Sequence, residues 1–175
     1  MFLVSHPLGY RALVIRELLR KQPSIALVVA AAYFEWTLSR ALVALSERPN
    51  RELREALENI YGLAHYRDFW WSELQHLSEH QRLTEVIRNW HAVTQAFQQR
   101  NRLVHGRDRH TRNMATPHVE CLLAAVNDLR EYAQSHGFDL DRRLPVRKKR
   151  KEPPITPAVS RKTLSRSTSQ NGNSQ

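Results

Sequence analysis

Apolar residues recur every three to four positions through most of the first 137 residues, which is the period of helices packed on one face. A first helix is predicted over 8–21, with Leu13, Leu18 and Leu19 among its apolar positions, and Pro23 ends it. Ser24 is placed to cap a second helix over 25–46. The first half of that helix, Ile25 to Ala32, is apolar all round, which suits the centre of a bundle or an oligomer interface. After Pro49, Asn50 is a candidate N-cap for a third helix carrying Leu53, Ala56, Leu57, Ile60 and Tyr61. A further helical stretch holds Tyr66, Phe69, Trp70, Trp71, Leu74 and Leu77, and Gly62 leaves the join between the two open. A long helix is predicted over 83–105, with Leu83, Val86, Ile87, Trp90, Val93, Thr94, Phe97 and Val104 along its stripe. The last helix takes Thr116 as N-cap and Pro117 as its first residue, buries Val119, Leu122, Leu123, Val126, Leu129 and Ala133, and stops at Gly137.

These elements predict an all-α domain over 1–138, a bundle of four to five helices. From Asp139 the composition changes. Arg147-Lys148-Lys149-Arg150-Lys151 is a charge run, followed by Pro153, Pro154 and Pro157 and a Ser/Thr/Asn/Gln-rich end. Residues 139–175 offer little apolar surface to offset their ordering entropy, so a disordered basic tail is expected there. Five glycines in 175 residues fit helices better than turn-rich β structure.

Charge changes the picture less than its total suggests. The formal net charge is +10, but 139–175 hold ten Lys/Arg and three Asp/Glu, or +7, leaving +3 for the predicted domain. The basic character belongs mainly to the tail, where it suits weak attraction to RNA or a merely solvated segment. Cys121 is the single cysteine, so an internal disulfide framework is excluded. The longest apolar run, 25–34, is shorter than the roughly 20 residues a spanning helix needs, and no secretory cleavage pattern follows an apolar region. A cytoplasmic protein without membrane association is therefore expected.

The candidate chemistry lies in Arg100-Asn101-Arg102-Leu103-Val104-His105-Gly106. Spacing between Arg and His does not single it out, because Arg112/His118 and Arg130/His136 are similarly spaced. Three other features do. Arg100 and Asn101 fall between Phe97 and Val104, where the apolar stripe should continue, so a polar side chain turns toward the packed face and needs a partner or a task. Gly106 stops the helix directly after His105. The loop behind it, with Arg102, adds Arg107, Arg109 and Arg112 as candidate RNA contacts. Asn101 and His105 share a helix face, whereas Arg100 and His105 stand about 140° apart on an ideal helix. Arg100 must then reach around, or the helix loosens, or a second chain completes the site. The alternative is a solvated helix end whose cations favour the C-terminal dipole.

Those residue types suit cleavage of RNA by its own ribose 2′-hydroxyl. Histidine can move protons near neutral pH, and the arginine fork fits a phosphate. The segment RNRLVHG resembles the signature of the HEPN superfamily: an Arg, a polar residue, a short spacer and a His, late in a long helix of an all-helical domain. The resemblance covers about 8–137. It implies a metal-independent endoribonuclease, without cofactor or metal ligands, acting as a homodimer with the motif at the interface. Arg100 would stabilise the phosphate, Asn101 would be its polar companion, and His105 the acid/base. Many members belong to toxin–antitoxin or anti-phage defence systems, so RNA substrate and an antitoxin are the implied partners. A non-catalytic helical module that binds RNA or protein is the alternative.

Other positions leave alternatives open. Glu35 interrupts an apolar helix and is either an ion-pair partner for a buried arginine such as Arg100 or a polar edge position. Trp70 and Trp71 suit the core or a dimer contact better than base stacking. His76 and His80 are one turn apart, but no third ligand stands at metal-site spacing.

Overall fold

The computed structural model describes residues 10–107 and 109–148. Within them the chain is all-α, with no strand. The helices are α1 (Arg11–Lys21), α2 (Pro23–Leu45), α3 (Asn50–Leu57), α4 (Gly62–Glu73), α5 (Leu83–Val86), α6 (Trp90–Val104) and α7 (Arg112–Ser135). Helix α2 is the axis of the bundle. It packs against α1, α6 and α7, and its apolar face, including Leu27, Phe34, Leu38 and Leu42, is fully buried. Phe34 meets Phe97 of α6 edge to face at 5.7 Å, which ties the axis to the helix carrying the RNRLVHG segment.

Helix α2 is long and apolar enough, by length and composition, to cross a bilayer, although its longest uninterrupted apolar run is not. In this fold somewhat more than half of that apolar window lies buried inside the bundle, while Ile25 and Trp36 are exposed.

Several expected boundaries move, each for a local reason. Pro23 starts α2 rather than preceding its cap, and the Ser24 hydroxyl accepts the His110 N–H at 3.0 Å. Asn50 is the first residue of α3, and its side chain bonds Pro145 O at 2.9 Å and the Arg147 N–H at 2.6 Å. The single helix expected over 83–105 is broken at 87–89. There the Arg88 N–H turns to the Asp128 carboxylate at 3.0 Å, and Asn89 caps α6 by accepting the Ala92 N–H at 3.1 Å. Helix α7 starts at Arg112 under the Thr111 cap, not at Pro117, which sits inside its second turn. Asn113, whose carbonyl loses its partner there, is exposed and open to water.

The packed domain also runs past the expected edge at 138. Residues 139–148 lie along the bundle: Leu140 is buried, and Arg40 bonds the carbonyls of Leu140 and Arg142. Arg147 donates to the carbonyls of Val43 at 3.0 Å and Ala44 at 2.9 Å, filling acceptors left open by the last turn of α2. The segment is anchored mainly by hydrogen bonds, which a composition-based reading does not register. The rest of the expected tail, 149–175, lies outside the described residues.

Candidate functional site

Helix α6 buries Val93, Ala96 and Phe97. Arg100 follows Phe97 by three positions and takes the next place on that face. It is half-buried, and its Nε is closed off from solvent without a hydrogen-bond partner. Its Nη1 donates to Asn101 Oδ1 at 3.0 Å. The stripe resumes at the half-buried Leu103, while Val104, expected to carry it on, is 56% exposed. The polar interruption at Arg100 is therefore real, and Asn101 lies at its exposed edge.

Arg100 and Asn101 form one wall of a groove of about 570 Å³. Glu35 of α2 and the tyrosines Tyr61 and Tyr66 form much of the rest. Gly62, with φ +81°, makes the turn that presents Tyr61 at the start of α4. Burial pushes the Glu35 carboxyl above the usual carboxylate range, and the nearby Arg100 charge pulls it back down. The two do not come within ion-pair distance. The ion pair that the sequence left open between Glu35 and Arg100 is therefore not formed, and Arg100 acts on Glu35 only through its charge from across the groove.

His105 is not in that groove. It is the C-cap of α6 and exposed, and its N–H bonds Asn101 O at 3.0 Å. Gly106 follows with φ +68°. The Gly106 N–H bonds Leu103 O at 3.0 Å and the Arg107 N–H bonds Arg102 O at 2.9 Å, the paired bonds of a Schellman stop. Of the predicted constellation, the structure brings Arg100 and Asn101 together and leaves His105 at the helix tip, one turn beyond Asn101 and around the axis from Arg100. Arg102, Arg107, Arg109 and Arg112 are all exposed near that tip. His110, between Arg109 and Thr111, is buried, its ring 6.3 Å from that of His118.

Comparison with protein-family models, curated proteins and solved structures finds no match for this chain.

The site rests on its own residues. Tyr61 and Tyr66 were legible only as positions on apolar stripes. Their place in the groove follows from the turn at Gly62, whose presence was the available signal. Trp70 is core, its indole N–H bonded to Gln81 O at 3.0 Å, whereas Trp71 is part-exposed and stacked on His80 at 4.2 Å. Among the described residues no three His, Cys, Asp or Glu side chains gather as a metal site would require.

Proposed function

We propose that this chain is a metal-independent endoribonuclease of the HEPN type, acting as a homodimer, with a role as a toxin or defence RNase. The observation that carries the reading is Arg100, a half-buried guanidinium with an unbonded Nε, fixed to Asn101 in an open groove one and a half turns before an exposed histidine. A guanidinium held this way is available to a phosphodiester and to the charge that grows on it during cleavage. The ribose 2′-hydroxyl attacks the adjacent phosphorus as it gives its proton to His105, and the 5′-oxygen leaves as it takes a proton from the imidazolium or from water. The products are a 2′,3′-cyclic phosphate and a 5′-hydroxyl.

The separation of His105 from the Arg100 groove is the reason for two chains. One copy supplies Arg100 and Asn101 to a scissile phosphate, and the tip of a second α6 supplies His105. Exposed apolar residues near the tip support such a contact. Val104 adjoins His105, Met114 lies in the first turn of α7, and Ile25 adjoins Ser24, which is bonded to the His110 loop. The exposed arginines 102, 107, 109 and 112 would track the RNA backbone.

Incubation of the purified chain with total RNA in excess chelator tests the proposal. Wild type should cut and His105→Ala should not. Equal cutting by both would refute the assignment. The same separation of His105 from the groove also favours a second reading, a helical module that binds RNA or protein without catalysis. RNA binding without cleavage, unchanged in His105→Ala, would support that one.

A further inference from the structure

A second arginine cluster lies on another face of α2. Arg11, the first residue of α1, is only 7% exposed and has no carboxylate within ion-pair distance among the described residues. Its Nε is shut off from solvent and unbonded. Its Cζ sits 4.2 Å from the Trp36 ring centroid and 5.8 Å from that of Tyr33. Arg40 approaches Trp36 with its Cζ at 5.2 Å, and Arg130 approaches Tyr33 at 5.8 Å. The Arg130 Nε is likewise buried and unbonded.

Countercharge is short. Asp141 is taken by Arg130 at 2.9 Å, and Asp139 by Arg142 at 3.1 Å. Arg40 gives two of its five donors, on Nε and Nη2, to the carbonyls of Leu140 and Arg142. Three guanidiniums against Asp141 leave two positive charges, and at Arg40 the field of Asp139 is opposed by those of Arg11 and Arg54. Burial is what lowers the Arg11 pKa, with the Arg130 charge adding to it, while Tyr33 and Asp141 act to raise it. Cation–π contact offsets part of that cost, but a buried cation ordinarily has an anion beside it. The first turn of α1 has no acidic residue, and Tyr10 gives it no side-chain cap. Trp36 and Arg40 also wall a groove of about 480 Å³ with Arg54, Ser39 and Leu144, and Glu58 is the one carboxylate among its described lining residues.

We propose that Arg11, Arg40 and Arg130 form a binding site for a phosphate dianion, which supplies the missing countercharge and, where it is a monoester, lays its organic group in the Trp36 groove. The site is lined by different residues from the Arg100 groove and does not depend on the function proposed for it. Two sources share this chemistry: free inorganic phosphate and the 5′-phosphate of a nucleotide.

Thermal melting of the full chain at constant ionic strength tests the site, with inorganic phosphate, adenosine 5′-monophosphate and adenosine as separate arms. At about tenfold excess over half-saturation, wild type should gain about 3–6 °C with phosphate. A larger gain with the monophosphate at equal concentration assigns the nucleotide, and an equal gain assigns free phosphate. Adenosine alone should do nothing. Arg11→Met should melt at or above wild type without phosphate, because it removes an uncompensated buried cation, and should show no gain with it. Arg130→Gln should lose the gain as well, which keeps the test open if Arg11→Met does not fold, and Arg20→Gln on the exposed face of α1 should retain it. No gain in wild type, or an undiminished gain in Arg11→Met or Arg130→Gln, overturns the site.

Discussion

Replacing Gly106 with alanine isolates the backbone term at the helix stop beside His105. The φ of +68° lies in the left-handed region, where an L side chain costs roughly 1–2 kcal/mol. A Cβ built there meets nothing within 4 Å, so no packing penalty adds to it. Alanine also narrows the unfolded ensemble, which returns about 0.4–1 kcal/mol. The difference is a net loss of up to about 1.6 kcal/mol, about 0.8 at the midpoints of the two ranges. Asparagine tolerates this conformation better, so Gly106→Asn should lose less than Gly106→Ala. Urea unfolding read by linear extrapolation measures both, provided the slopes match wild type. Amide exchange at Arg107, whose N–H closes the stop on Arg102 O, reports whether the loss is local. If alanine falls within about 0.3 kcal/mol of glycine, or asparagine costs as much as alanine, the left-handed stop does not hold this end of α6.

Two further predictions concern buried carboxylates. Glu35 has its pKa raised by burial, so the folded chain keeps a proton where the unfolded chain has lost it. Stability from this group is present in acid and lost as pH rises through the raised value. Glu35→Gln should therefore raise the melting temperature more at neutral pH than in acid, and the opposite order in paired melts would reverse the assigned cause. Asp128 accepts the Arg88 N–H at 3.0 Å and faces its guanidinium at 3.4 Å, so Asp128→Ala should cost about 1–3 kcal/mol by stranding that N–H. Exchange at the Arg88 amide should quicken more than exchange in α7, and an unchanged rate there would show that Asp128 does not hold the break between α5 and α6.

The helical class was legible because Val93, Phe97, Val119, Leu122 and Val126 keep the 3.6 period that packing requires. The break at 87–89 was not, because Ile87 stays buried and the stripe runs through it unaltered. What breaks the helix is Asp128, distant in sequence and brought close only by folding. The start of α7 was misplaced because Thr111 and Thr116 are both credible caps, and an exposed carbonyl near a helix start makes an interior proline tolerable. At the site, the polar interruption at Arg100 and the wide angle to His105 could be read from spacing. The groove could not, since Glu35 and Tyr61 reach it from α2 and from the turn before α4.

The bonds from Arg147 to Val43 and Ala44 also set an order in time. Ser46 closes on Leu42 O from the next residue along, and His76 Nε2 lies 3.0 Å from Leu45 O. The residue that closes on Val43 comes 104 positions later. At ordinary elongation rates of about 5–20 residues per second, it is made roughly 5–20 s after its acceptor. Throughout that interval the most apolar helix of the chain has water as the only partner for part of its last turn. The axis of the bundle, and with it the start of α3, waits for Arg147 before its end is sealed.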